Sequence, residues 1–163
     1  MFKLSVNEQT PMSFKRHCGV GVKRRPGERS TRGSGAYSDP EYKKYLNMLG
    51  FLISGAYMRS GLTIMEEYVC AVITFRFNAP NRWTDQKKIE AYKTKMLCAG
   101  KRDVDNLVKT VLDAAQGIVY NNDSQVVGLI AWKEYAALEG TDITFYNSSE
   151  FIQEIRDYIK GGL

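Results

Sequence analysis

The chain is organised around one stretch, which reads Lys101-Arg102-Asp103-Val104-Asp105-Asn106-Leu107-Val108-Lys109. Two carboxylates stand two residues apart in it, directly after two basic residues. Apolar residues then recur at helical spacing, which predicts a helix over 105–116 that Gly117 ends. A third acid, Asp123, follows in a polar turn. Three acids and a lysine in this order suit a divalent-metal site better than a buried core.

The chain is long enough between the acids for all three to meet. A helix of about 12 residues is about 18 Å long, and residues 117–123 can span at most about 23 Å, so Asp123 can return toward the helix start. Converging carboxylates repel one another, and divalent cations relieve that repulsion. Mg²⁺ prefers oxygen ligands and keeps waters for substrate phosphates, which suggests metal-assisted hydrolysis of a phosphodiester. Spacing alone leaves a structural role equally open.

Two structural alternatives concern Asp103 and Asp105. A calcium-binding EF-hand loop fails after its second ligand, because Leu107 and Val108 stand where the loop needs a polar ligand and its glycine. The acids could instead cap the helix. A cap needs only one of them, however, and gives Asp123 and the basic flanks no role.

Positive charge is concentrated in two segments of the chain. Residues 15–32 hold seven basic residues against Glu28 alone, and residues 82–102 hold seven against two acids, whereas the whole chain carries only +5. Because the remainder is therefore acidic, the two segments indicate binding to a polyanion such as DNA. The residues predicted to bind DNA from this pattern are Lys15, Arg16, Lys23, Arg24, Arg25, Arg29, Arg32, Lys101 and Arg102.

Hydrophobic periodicity predicts four strands and four helices. The strand over 125–135 is apolar on both faces, so it is expected either in the centre of a sheet or at a subunit interface. Trp83 is expected to cover the edge of the core, with stacking on a nucleobase as the alternative. The predicted elements are strand 2–6, a basic loop over 7–37, a helix capped at 38–41 and ended by Gly61, strand 68–77, helix 85–96, helix 105–116, strand 125–135, strand 142–146 and helix 149–159.

Length and composition predict a single domain over residues 1–163. No run of about 18 uncharged apolar residues occurs, so no transmembrane helix is expected, and the first residues lack the order of a signal peptide. Three scattered cysteines argue against a disulfide framework, and one histidine without a Cys-x-x-Cys pair argues against zinc. We therefore expect a reducing, cytoplasmic setting without membrane association.

The site stretch resembles the RusA family of Holliday-junction resolvases. The matching positions are 103–109, 112–114, 117–119, 123–127, the helix start at 38–42, and Lys133. The resemblance implies an α+β fold, with a small mixed sheet flanked by helices, and a homodimer. It also implies Mg²⁺-dependent (or Mn²⁺-dependent) paired nicking of four-way DNA junctions. By motif position, Asp103, Asp105 and Asp123 would bind the metal, Lys109 would be the catalytic lysine, and Lys133 would contact DNA.

The chain departs from the family pattern in three places. Many members carry two acids where this chain has Asn122-Asp123, although the Asn122 carbonyl could still act as a ligand. The family's proline-rich N-terminal motif is degenerate at 10–15, and a C-terminal helical appendage at about 148–163 lies outside the resemblance. We expect that appendage to be a structural cap, with a dimer element as the alternative. Two other functions remain open: a junction-binding protein without catalysis, and a broader nuclease acting on flaps and forks.

Overall fold

The computed structural model describes residues 1–13 and 40–161, with side chains up to Glu154. The predicted DNA-binding residues from Lys15 to Arg32 and the predicted cap residues Ser38 and Asp39 lie outside these ranges. The elements in chain order are β1 (Phe2–Asn7), α1 (Pro40–Arg59), β2 (Val69–Phe77), α2 (Asp85–Lys93), α3 (Val104–Ala115), a short 3-10 helix (Asp123–Gln125), β3 (Val126–Tyr135), β4 (Gly140–Asn147) and α4 (Ser148–Gly161).

The four strands form one mixed sheet in the order β1-β4-β2-β3. Strand β4 runs antiparallel to both β1 and β2, whereas β2 and β3 are parallel, with Val69 opposite Val126. Parallel neighbours require a crossover connection, and here that connection contains α2 and α3. The predicted α+β fold, a mixed sheet flanked by helices, is confirmed. The crossover places the turn before β3 beside the start of β2.

The core lies between one face of the sheet and helices α1 and α3. Alternate residues of β2 from Val69 to Phe77 are fully buried on this face, as their period of two predicted. Leu49 and Ile53 of α1 and Leu107 of α3 are also fully buried. Each such side chain contributes about 1.5–3 kcal/mol relative to leaving it exposed. The packing therefore fixes α3, which carries the site stretch, against α1 and the sheet.

Strand β3 lies at the edge of the sheet, so its predicted central place is wrong. Its C-terminal half is covered by residues 96–98, where the Cys98 amide donates to the Lys133 carbonyl at 2.9 Å. Its N-terminal half is open, and Val127 and Ile130 are exposed by 56% and 43%. The apolar residues on both faces thus reflect an open edge, and the alternative of a subunit interface stays a prediction.

Element ends follow local backbone chemistry. Helix α1 begins at Pro40, a residue suited to the first helical position. Gly61, with φ of +68°, follows its end as expected. Helix α2 ends at Lys93, three residues earlier than predicted, and Lys95 just beyond it has a positive φ of 51°.

Two further parts of the chain lie at the periphery of the fold, and the first of them, Trp83, matches its prediction. The half-buried Trp83 ring packs edge-on against Tyr135 with centroids 5.0 Å apart, so it covers the edge of the core. Helix α4 lies on the opposite face of the sheet, where Phe151 packs on Tyr146 with centroids 5.5 Å apart. Nowhere in the described residues is a helix both long and apolar enough to cross a membrane.

Candidate active site

Asp103 and Asp105 stand at the N-terminal end of α3, and both are exposed. Asp103 occupies the N-cap position with extended backbone angles, and its carbonyl accepts from the Leu107 amide at 3.2 Å. In the part of the chain that the structure describes, its side chain makes no capping hydrogen bond. The cap alternative for the Asp103 carboxylate is therefore not supported, and the positive end of the helix dipole favours both negative charges.

The polypeptide turns back after α3 and carries Asp123 to the side of that helix. Gly117 makes the reversal with a φ of +75°. Tyr120, which is fully buried, then anchors the return because its hydroxyl donates to the Leu112 carbonyl at 2.8 Å. The return that the chain length permitted is thus observed.

The returning turn and α3 form a cleft of about 330 Å³. Its charged lining comes from Asp105, Lys109 and Asp113, which follow one another at four-residue steps, and from Asp123 across the cleft. Its apolar lining is Val108, Leu112 and Leu129. The cleft therefore brings together three of the four residues predicted to be catalytic.

Lys109 is held within this cleft by an ion pair. Its ammonium lies 3.1 Å from the Asp113 carboxylate, and the two side chains are 50% and 27% exposed. The pair follows from the i,i+4 spacing of Lys109 and Asp113 along α3. The pair is partly open to solvent, so a phosphate entering the cleft can reach the ammonium.

The three predicted metal ligands are not gathered equally. Asp105 and Asp123 line the cleft, whereas Asp103 does not belong to its lining as far as the described residues go. Within the same residues, no three His, Cys, Asp or Glu side chains are grouped closely enough to hold a metal ion. The donors that do line the cleft are carboxylates, whose oxygens Mg²⁺ prefers. The cleft thus contains two of the predicted ligands, and the divalent cation itself, like Asp103 as a ligand, stays a prediction.

Tyr120 is buried near the acids of the cleft. Burial, followed by the nearby carboxylates of Asp123 and Asp113, raises the pKa of its phenol well above the usual value. The hydroxyl therefore stays protonated and keeps its hydrogen bond to the Leu112 carbonyl across the physiological pH range.

Comparison with protein families locates this site within a known group of nucleases. The family model described as endodeoxyribonuclease RusA matches residues 20–146, which is most of the chain. The chain belongs to the RusA family of endodeoxyribonucleases. The match extends from before α1 to β4 and includes Asp103, Asp105, Lys109, Asp123 and Lys133. A search of curated protein sequences finds no match.

Lys133, a RusA-family position predicted to contact DNA, has a structural partner that the sequence did not reveal. Its ammonium donates to the Arg102 carbonyl at 2.6 Å, and its side chain is only half-exposed. This bond ties β3 to the backbone immediately before Asp103. Lys101 beside it is exposed and Arg102 is partly exposed. Lys133 therefore restrains the backbone of the basic residues that directly precede Asp103.

Asn122, where many RusA members have an acid, caps the short 3-10 helix. Its side-chain oxygen accepts from the Ser124 amide at 2.9 Å, while Gln125 returns the bond in a capping box. Asn122 thus supports the turn that carries Asp123.

Proposed function

We propose that this RusA-family protein is a divalent-metal-dependent endonuclease that resolves four-way DNA junctions by paired nicks. The observation that carries the proposal is the cleft in which Asp123 stands across from Asp105, Lys109 and its partner Asp113. Membership of an endodeoxyribonuclease family supports phosphodiester hydrolysis as the reaction. The basic segments of the chain support DNA as the substrate.

Asp105 and Asp123 would hold the cation, and Asp103 is proposed to join them from the adjacent end of α3. When bound, Mg²⁺ supplies Lewis-acid neutralisation of the charge that develops on the scissile phosphate. Mn²⁺, which also favours carboxylate ligands, is expected to substitute. The carboxylates themselves bind and orient, and their mutual repulsion is what a cation would relieve.

Lys109 is proposed to stabilise charge on the phosphate. Its ion pair with Asp113 suits a protonated ammonium that donates hydrogen bonds, and not a group that removes a proton from water. Donors fixed in advance where negative charge develops are among the largest contributors to catalysis. The i,i+4 pairing orients the ammonium without burying it.

The DNA is proposed to lie over the basic residues on the approach to the cleft. Lys101 and Arg102 directly precede Asp103, and α2 presents further lysines on an exposed surface. The DNA contacts predicted from Lys15 to Arg32 lie outside the described residues. Phosphate contacts of this kind bind without reading sequence, which suits recognition of DNA shape.

A homodimer is proposed because two equivalent nicks require two equivalent sites related by symmetry. The open edge of β3, with Val127 exposed on one face of the sheet and Ile130 on the other, is where the second copy would pack. The buried, free thiols of Cys70 and Cys98 fit the reducing cytoplasm that we propose as its location.

Two observations favour a second function, a junction-binding protein without catalysis. Asp103 lies outside the lining of the cleft as described, and Asn122 replaces an acid common in the family. A weak metal site would leave the basic surface able to bind branched DNA.

Cleavage and binding by Asp105→Asn separate these two functions. We expect the variant to bind a four-way junction as the wild type does and to lose nicking in Mg²⁺. The matched control is Asp85→Asn, which removes an exposed carboxylate from α2 and should keep nicking. Wild-type protein that binds junctions but leaves them uncut in Mg²⁺ and Mn²⁺ would establish the binding function instead.

A substrate comparison tests the junction specificity. We expect four-way junctions to be cut faster than flaps, forks or plain duplex of the same sequence. Equal rates on all four substrates would replace the resolvase assignment with a broader nuclease.

A further inference from the structure

The side-chain amide of Gln125 uses all of its hydrogen-bonding groups on backbone atoms. Its oxygen accepts from the Asn121 and Asn122 amides, both at 2.8 Å. Its nitrogen donates to the Met65 carbonyl at 2.9 Å and to the Glu67 carbonyl at 3.0 Å. Two backbone amides face the oxygen of the Gln125 side chain and two backbone carbonyls face its nitrogen, so these partners determine the orientation of the side-chain amide.

These four bonds connect an exposed turn to a segment that the core holds. Residues 121–124 are all exposed, so apolar packing does not hold the turn. Met65, by contrast, is buried, and its amide donates to the Val119 carbonyl at 2.8 Å. Gln125 therefore attaches the turn that carries Asp123 to the segment leading into β2.

We propose that Gln125 is the positioning residue that sets where the Asp123 carboxylate stands in the cleft, and thereby the affinity of the cleft for its divalent cation. The inference rests on the proposed function. Gln125 touches neither Asp123's carboxylate nor the cleft lining in the described contacts, so it acts through the backbone. A metal ligand on a turn is only as well placed as the groups that hold the turn.

Glutamine is the side chain that this arrangement requires. Glutamate has the same length but no donor, so one of its oxygens would face the Met65 and Glu67 carbonyls. Methionine has a similar length and makes none of the four bonds. Asparagine is one methylene shorter and cannot reach both sides. The three replacements therefore separate charge, hydrogen bonding and reach.

The test measures Mn²⁺ binding by the DNA-free protein, using electron paramagnetic resonance of free Mn²⁺. For Gln125→Glu and Gln125→Met we expect affinity to fall by about 10- to 100-fold, the effect of removing a group that orients a metal ligand. Amide hydrogen exchange at Asn121 and Asn122 should become faster in both variants. Junction binding without divalent cations should be unchanged, because the basic surface is untouched.

Gln116→Glu is the matched control. Gln116 is exposed at the end of α3, and its replacement by glutamate adds the same negative charge as Gln125→Glu. An added negative charge alone favours cation binding, so weaker binding in Gln125→Glu reports geometry. Gln125→Met keeps the test decisive if the charged variant unfolds, and thermal melting identifies that case.

Three outcomes would overturn the inference. If wild-type protein binds Mn²⁺ and both Gln125 variants bind it equally well, Gln125 supports the turn without setting the site. Unchanged amide exchange in the variants would show that the four bonds do not hold the turn. Wild-type protein that binds no Mn²⁺ would overturn the proposed metal dependence and this inference together.

Discussion

Asp105, Lys109 and Asp113 stand on a helix whose other side is buried in the core, whereas Asp123 stands on an exposed turn that hydrogen bonds hold. We call these the helix half and the turn half of the cleft. In the helix half, Leu107 and Val111 lie among the charged residues in sequence and are almost fully buried. In the turn half, Gln125 and Asn122 supply the restraint through polar contacts. Apolar packing thus fixes one half, and a few directional bonds fix the other.

The largest effect is expected from a substitution that removes apolar packing beneath the helix half. Leu107→Ala removes a fully buried side chain from the core and should lower the free energy of unfolding by about 2–5 kcal/mol. Denaturant unfolding measures this change. Val104→Ala, on an exposed residue of the same helix, is the control and should cost much less. Equal losses would mean that α3 is not anchored through Leu107.

The next effect tests the chemistry of the helix half without changing its packing. Lys109→Met should reduce nicking by about 100- to 1,000-fold, the loss seen when one electrostatic stabiliser is removed. Single-turnover cleavage at saturating protein measures the rate apart from binding. Lys109→Arg keeps the charge and should retain part of the activity. A methionine variant as fast as wild type would exclude a catalytic role for this lysine.

A smaller effect is expected from replacing Lys133, and it shows whether this lysine positions the site or binds DNA. Lys133→Met removes the bond to the Arg102 carbonyl, so we expect nicking of bound junctions to slow by about 10-fold, with binding little changed. Lys101→Met removes an equal charge from an exposed neighbour. This variant should bind junctions more weakly. The slope of the logarithm of its binding constant against the logarithm of salt concentration should become shallower, by up to about 0.9 for each phosphate that the protein no longer neutralises. If Lys133→Met instead weakens junction binding and leaves the nicking of bound junctions unchanged, Lys133 contacts DNA directly.

The smallest effect concerns the ion pair of the helix half. Asp113→Asn breaks a partly exposed pair at i,i+4 spacing, which contributes about 0.3–0.5 kcal/mol to stability. Thermal unfolding should therefore change little, while nicking should fall because the Lys109 ammonium loses its orienting partner. A nicking rate equal to that of wild type would limit Asp113 to a surface charge.

The same contrast explains what could be predicted from the sequence. Helix α3 and strand β2 were predicted correctly because a buried face leaves a period of apolar residues in the sequence. The return of Asp123 toward α3 was permitted by the length of the chain between them. Each of these depends on residues close together in the chain.

The errors and omissions involve contacts between distant residues. Strand β3 was expected in the centre because of its apolar faces, but β4 lies between β1 and β2 and leaves β3 at the edge. Lys133 meets Arg102 across 31 residues, and Gln125 meets Met65 across 60. Such polar contacts leave no periodicity in a sequence. Gln125 stood in the matched motif, but its spacing alone did not indicate its partners.

The most direct test of the proposed site is cleavage of an end-labelled four-way junction by the wild-type protein across a Mg²⁺ titration, with nick positions mapped on all strands. We predict that nicking requires the cation and saturates with its concentration. The nicks should fall in pairs at symmetric positions across the junction. A junction that is bound but stays intact at every concentration of Mg²⁺ and Mn²⁺ would contradict the assignment of the Asp105–Asp123 cleft as a nuclease centre.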